Sequence, residues 1–126
     1  MPGAVLLVDD DAAFRSVARF ALRDAGLAVA GEADSARAAL VAALCLKPEA
    51  VLVDIALPDG DGVALARELA ALPWRPRVVL TSSDRYAASD DEVRASGAHG
   101  FVIKEDLPDA ARGPLFRPLA RPPDLG

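Results

Sequence analysis

The sequence predicts an α/β fold: a doubly wound, five-stranded parallel sheet with helices on both faces. Two patterns predict it. Five short runs of aliphatic residues recur along the chain, each too uniformly apolar to leave one face in water. Between them lie segments with apolar residues at helical spacing, and strands alternating with helices give a parallel sheet with right-handed crossovers. Composition agrees. Hydrophobic residues make up 52% of the 126 residues and aromatics only 5%, so the core is built in thin layers of Ala, Val and Leu.

The elements follow in order. "AVLLV" (4–8) is the first strand. Phe14, Val17, Ala18, Ala21, Leu22 and Ala25 then mark a helix face, and Gly26 stops the helix. "LAVAGEA" (27–33) is the second strand. Asp34 or Ser35 caps the next helix, which carries Ala36, Ala39, Leu40, Ala43 and Leu44 on one face and ends before Pro48. "AVLVD" (50–54) is the third strand, and "LPDGDG" (57–62) is turn chemistry. Leu65, Leu69 and Leu72 mark a helix ended by Pro73. "RVVLT" (77–81) is the fourth strand. Ser89 and Glu92 form a capping box for a short helix that closes at Gly97. "GFVIK" (100–104) is the fifth strand. Prolines and a glycine crowd the segment that follows (Pro108, Gly113, Pro114, Pro118, Pro122 and Pro123), so the closing helix is curtailed. The expected organisation is a domain over 1–112 and a Pro-rich tail or linker over 113–126.

Composition also excludes functions. A net charge of −5 opposes direct nucleic-acid binding, and Arg112, Arg117 and Arg121 are too sparse for a basic patch. Cys45 is the only cysteine, so there is neither a disulfide framework nor a cysteine zinc site. The apolar run "AALVAALCL" falls short of the ~20 residues a membrane span needs, and no signal peptide is apparent, so the expected location is cytoplasmic.

The strand ends carry the chemistry. In an open parallel sheet, ligands gather beyond the carboxyl ends of the strands. There stand Asp9 and Asp10, Asp54, Thr81 and Lys104, each ending an otherwise apolar run. Adjacent carboxylates repel by about 4 kcal/mol at 4 Å and an effective dielectric near 20, so the cluster is suited to a cation. Oxygen donors of this kind suit Mg²⁺, with Lys104 and Thr81 available to phosphoryl oxygens.

At these residues the chain resembles the receiver domain of bacterial two-component response regulators. The matching pieces are "VDD" (8–10), "VDIALPDGDG" (53–62), "TSS" (81–83) and "GFVIK" (100–104), in the family's order. The resemblance implies a flavodoxin-like fold with strand order 2-1-3-4-5. It implies that Asp54 is the phosphoacceptor for a histidine kinase or phosphotransfer protein. Asp10 is then a direct Mg²⁺ ligand, Asp9 its partner through water, and the Ala56 carbonyl completes the protein share of the metal site with Asp54. Lys104 and Thr81 contact the phosphoryl group, and Thr81 and Phe101 form the switch. An output domain or effector protein is the implied recipient of the signal, with a phosphorylation-dependent homodimer a further option. Glu105 stands where the family often has proline, which predicts a trans bond after Lys104.

Other residues carry ordinary expectations. Asp11 is a helix cap, Asp59 and Asp61 serve the turn and the next cap, Cys45 packs, Trp74 covers a loop, and His99 is exposed and inert. The leading function is a signalling domain that catalyses only its own phosphorylation and dephosphorylation. Two alternatives are a Mg²⁺-dependent phosphatase or phosphotransferase on a related scaffold and a phosphorylation-independent pseudo-receiver. A haloacid-dehalogenase-type enzyme wants an acid two residues after its nucleophile, where this chain has Ala56.

Overall fold

The computed structural model describes residues 4–119. Five strands form one parallel sheet: β1 (Ala4–Val8), β2 (Ala28–Ala33), β3 (Ala50–Asp54), β4 (Arg77–Ser82) and β5 (Gly100–Ile103). Their order is β2-β1-β3-β4-β5, as the resemblance implied. The helices are α1 (Ala12–Asp24), α2 (Ala36–Leu46), α3 (Gly62–Ala70), α4 (Asp90–Ala95) and α5 (Leu107–Ala110).

Alternation along the strands divides the core into two layers. Val5, Leu7, Ala50, Leu52, Val79 and Val102 meet Ala18 and Leu22 of α1 and Leu107 of α5. Leu6, Val8, Val51, Val53, Val78 and Leu80 meet Ala39 and Ala43 of α2, Leu65, Ala66 and Leu69 of α3, and Val93 of α4. Both faces of the central strands are therefore dry, which is why their sequences show no polar alternation.

Side-chain caps fix the helix starts. Asp11 accepts from Ala13 N at 3.0 Å, Ser35 from Ala38 N at 3.0 Å and Asp61 from Val63 N at 2.9 Å. Ser89 and Glu92 form the reciprocal box on α4. Gly26 (φ +87°) turns the chain after α1 in the left-handed region open to glycine, and Gly97 (φ +82°) does so after α4. The "LPDGDG" turn folds as a small antiparallel ribbon pairing Ala56–Leu57 with Gly60–Asp61. Asp59 serves neither its own turn nor the next helix. Its two carboxylate oxygens accept from Ala36 N at 2.7 Å and Arg37 N at 3.0 Å, at the start of α2.

Several expected core residues lie outside. Val17 is 54% exposed and Leu44 57%, and Cys45 is exposed rather than packed. In α2 the small residues Ala39 and Ala43 face the sheet, which turns Leu44 and Cys45 outward.

The closing helix is curtailed to four residues, flanked by 3₁₀ turns at Lys104–Asp106 and Arg117–Leu119. Pro108 stands in the first turn of α5, where its missing N–H costs no hydrogen bond. The chain beyond 112 does not leave the domain at once: Phe116 is fully buried and Leu119 8% exposed, both in the layer under α1. Prolines shorten the helices here, but the 3₁₀ path still turns the apolar side chains inward. Arg112 ties this segment to the end of α1, its Nη2 donating to Asp24 O at 2.9 Å and Asp24 Oδ2 at 2.6 Å. Residues 120–126, with Arg121, Pro122 and Pro123, lie outside the described residues. Among the described residues there is no cis peptide bond, and no helix is long and apolar enough to cross a membrane.

Candidate functional site

Parity along the strands positions the site. Asp9 continues the series Val5, Leu7; Asp54 the series Ala50, Leu52; Thr81 follows Val79; Lys104 follows Val102. All four thus stand within one residue of a strand's carboxyl end, in the register of the layer beneath α1. The pairing of β3 with β4 sets Asp54 directly beside Thr81.

Lys104 joins the acids. Its Nζ lies 2.7 Å from Asp9 Oδ2 and 3.2 Å from Asp54 Oδ2, to which it donates a hydrogen bond. The remaining oxygens accept from the backbone: Asp9 Oδ1 from Asp11 N at 2.9 Å, and Asp54 Oδ1 from Ala56 N at 3.2 Å. Asp9, Asp54 and Thr81 are buried, whereas Asp10 is exposed. Among the described residues, two buried side-chain atoms lack hydrogen-bond partners, Asp9 Oδ2 and Thr81 Oγ1. The approach of Lys104 to Asp9 is a close ion pair rather than an aligned hydrogen bond.

Burial, then the charge of Asp9, raises the Asp54 carboxyl above its ordinary pKa; the Ala56 N–H and Lys104 oppose the rise. Burial pulls Lys104 down, but its contact with Asp9 and the charges of Asp54 and Asp9 outweigh this and hold it above its usual value. The cation therefore persists at neutral pH.

Asp9, Asp10 and Asp54 each offer a carboxylate oxygen, and these atoms lie within 4.8 Å of one another. With all three ionised, one ammonium leaves the cluster two negative charges in excess. Burying charge without a counterion is costly, and Asp9 Oδ2 has an ion-pair partner in Lys104 but no aligned hydrogen bond. A hard divalent cation with a taste for oxygen ligands fits this donor set.

The structure thus gathers Asp9, Asp10, Asp54, Thr81 and Lys104. Phe101 is not among them. It is half-buried against the opposite layer, beside an opening lined by Arg85, Asp106 and Ala110. Ala56 and Ser83 are exposed, and Ser83 lines a cavity of about 490 Å³ with Phe14, Lys104 and Glu105. His99 is exposed, but its Nδ1 accepts from Val78 N at 3.3 Å. Burial, then the charge of Arg77, lowers its pKa. Trp74 donates from Nε1 to Pro48 O at 3.0 Å, covering the loop before β3.

Two site neighbours escape sequence reasoning. The Lys104 ammonium stands 4.5 Å from the centroid of the Phe14 ring. Arg15 donates from Nη1 to Asp9 O at 2.6 Å and from Nε to Glu32 Oε1 at 2.8 Å, and Arg19 also pairs with Glu32. Position was the available signal, since both residues stand in the first turn of the helix that follows the acids.

Comparison with known proteins agrees with this geometry. The family model described as response regulator receiver domain matches residues 5–111. The KDP operon transcriptional regulatory protein KdpE of Escherichia coli K12 is 38% identical over 104 residues, covering 79% of this chain and 44% of KdpE. Chemotaxis protein CheY of Thermotoga maritima is 32% identical over 104 residues, covering 82% of this chain and 87% of CheY. The chain spans about half the length of several curated relatives, among them KdpE and the Mycobacterium tuberculosis regulator PdtaR (50%). Among solved structures, the response regulator domain of T. maritima CheB superposes with a TM-score of 0.75 at 26% identity, covering 88% of this chain and 89% of that one. Vibrio cholerae CheY4 gives a TM-score of 0.76 at 23% identity, covering 88% and 93%.

Proposed function

The chain belongs to the response regulator receiver family, and we propose from that premise that it accepts a phosphoryl group from a histidine kinase or phosphotransfer protein onto Asp54, in a Mg²⁺-dependent reaction. The observation that carries this reading is Thr81 Oγ1, a fully buried hydroxyl without a partner, in register with Asp54. A buried orphan hydroxyl costs free energy unless something arrives to accept its proton. A phosphoryl oxygen on Asp54 is such an acceptor.

The chain's own groups act as follows. The Asp54 carboxylate attacks phosphorus in line, the phosphorus–nitrogen bond of the donor phosphohistidine breaks, and the leaving imidazole carries its electron pair and takes up a proton. Lys104 transfers its hydrogen bond from Asp54 Oδ2 to a phosphoryl oxygen, neutralising charge on a loose transition state. The Ala56 N–H keeps hold of Asp54 Oδ1 and fixes the rotation of the carboxylate. Asp9, Asp10, Asp54 and the Ala56 carbonyl would hold Mg²⁺, which when bound supplies the positive charge that lets carboxylates and phosphoryl oxygens share the site. The Thr81 hydroxyl then turns to the phosphoryl group, and Phe101, on the neighbouring strand with its ring against the opposite layer, is the switch residue that passes the signal to an output domain or effector protein. The domain turns over no external substrate in this reading.

Acetyl phosphate with Mg²⁺, followed by intact-mass measurement, tests it. The expected result is a phosphoryl increment on the wild type that is absent in Asp54→Asn. Labelling of the mutant at the wild-type rate would defeat the assignment, and steady phosphate release without a labelled protein would favour a phosphatase.

A further inference from the structure

We propose that Phe14 is a positioning residue whose ring face holds the Lys104 ammonium in the site while its carboxylate partners are engaged elsewhere. This rests on the phosphoacceptor reading of Asp54.

Lys104 needs such a hold. It is the first residue past β5, at the head of a 3₁₀ turn with no side-chain cap, and Glu105 follows it in place of a stiffening proline. Its ammonium has three donors. Asp9 lies 2.7 Å away and Asp54 3.2 Å away, and the Phe14 ring centroid lies at 4.5 Å. That is inside the ~6 Å reach of a cation–π contact. Both carboxylates belong to the donor set that fits a divalent cation, and Asp54 is also the group to be modified. A cation or phosphoryl group in the site therefore competes with Lys104 for both carboxylates. The ring competes for neither metal nor phosphoryl oxygen, so its contact survives loading.

Phe14 is itself well anchored. It sits in the first turn of α1 behind the Asp11 cap and packs against the layer of Leu7, Leu52 and Leu107. The next residue, Arg15, bonds Asp9 O and Glu32, pinning this turn to the ends of β1 and β2. The ring thus has a fixed place relative to Asp9, and through Asp9 relative to the metal-binding end of the sheet. It also walls the cavity beside Lys104, limiting the water that can reach the ammonium from that side.

Two roles for Phe14 predict different orders among substitutions. If the ring acts on the cation, affinity for the phosphoryl analogue follows π character, with Trp at least equal to Phe, Tyr close to Phe, and Leu and Met weaker. If it only fills space, Leu and Met substitute well and Trp is the worst. The test is titration of beryllofluoride into wild type, Phe14→Leu, Phe14→Met, Phe14→Tyr and Phe14→Trp at saturating Mg²⁺, with Mg²⁺ affinity measured separately by calorimetry. We expect Phe14→Leu and Phe14→Met to weaken beryllofluoride binding about two- to fivefold, the scale of an exposed cation–π contact, with Tyr and Trp retaining it. Mg²⁺ affinity should not fall in any variant, because the ring touches no metal ligand. Retained beryllofluoride affinity in Leu and Met, or parallel losses of Mg²⁺ and beryllofluoride, would overturn the proposal. If Phe14→Leu fails to fold, Phe14→Met and Phe14→Trp still separate the two orders. A wild type that binds Mg²⁺ but no beryllofluoride would instead defeat the phosphoacceptor reading beneath it.

Discussion

Gly62 opens α3, and replacing it with alanine should disturb Asp54, the proposed phosphoacceptor, from behind. Its N–H donates to Ile55 O at 2.8 Å, which folds the "LPDGDG" ribbon tightly against the end of β3. A Cβ built at Gly62 would collide with Asp54 O and would stand 2.7 Å from Ile55 Cα and 2.8 Å from the Asp54 carbonyl carbon. Ordinary carbon contacts begin near 3.5 Å, so the backbone must give by at least about 0.8 Å. Every atom in the way is main chain, so no rotamer change relieves the clash. Overpacking of this kind costs about 1–3 kcal/mol, and the helix-propensity gain of Ala over Gly offsets at most about 1. A net loss of about 1–2 kcal/mol lowers the melting temperature of a domain this size by about 3–12 °C. Activity should suffer more than stability, because misplacing a reacting carboxylate by about 1 Å can cost a hundredfold. Thermal melts and the rate of labelling by acetyl phosphate measure the two effects. A Gly62→Ala protein that melts at or above the wild-type temperature and labels at the wild-type rate would refute the reasoning, since helix propensity would then have outweighed the close approach.

Further outcomes follow from the same geometry. Asp10→Ala should weaken Mg²⁺ binding far more than Asp11→Ala in calorimetry, because the Asp11 carboxylate is spent on Ala13 N at the α1 cap; equal losses would sink the distinction. Ala56 has no side-chain group to orient an attacking water, so Ala56→Asn should speed single-turnover loss of phosphate about ten- to a hundredfold, the effect of one well-placed contact; unchanged decay with Mg²⁺ affinity intact would exclude water positioning there. Burial and the charge of Arg77 depress the pKa of His99, so the fold favours its neutral form. That stabilisation is complete above the unfolded value near 6.5 and is lost as pH falls through it toward the folded pKa. Melts between pH 7.5 and 5 should therefore slope downward on acidification in wild type and less in His99→Gln; identical slopes would show that His99 carries none of the pH dependence.

What could be read in advance was what the chain encodes locally. β3 was legible because "AVLVD" is buried on both faces, and α4 because Ser89 and Glu92 form their box within one turn. Asp9, Asp10, Asp54, Thr81 and Lys104 were legible because each interrupts an apolar run at its end. Burial in α2 was not, because "ARAALVAALCL" is apolar on every side and no period selects a face; the fold leaves Val41, Leu44 and Leu46 46–59% exposed. Phe116 was obscured by its proline neighbours, whose punctuation reads as a linker although the path between them closes the α1 layer. The Phe14–Lys104 contact joins residues 90 positions apart, and nothing in either segment signals the other.

The bond from Asp59 to the head of α2 has a consequence for the order in which the chain assembles. Ser35 serves Ala38 N, but Ala36 N and Arg37 N have no side-chain acceptor until a residue 22 or 23 positions later has turned back to meet them. The first turn of α2 is therefore completed only after β3 has docked beside β1 and the ribbon beyond it has closed. On a ribosome, that turn stays frayed until the segment carrying Asp54 and the ribbon beyond it has emerged and folded. In the finished protein, the amide protons of Ala36 and Arg37 are shielded from exchange only as long as that ribbon stays shut, so their exchange rates record how often it opens.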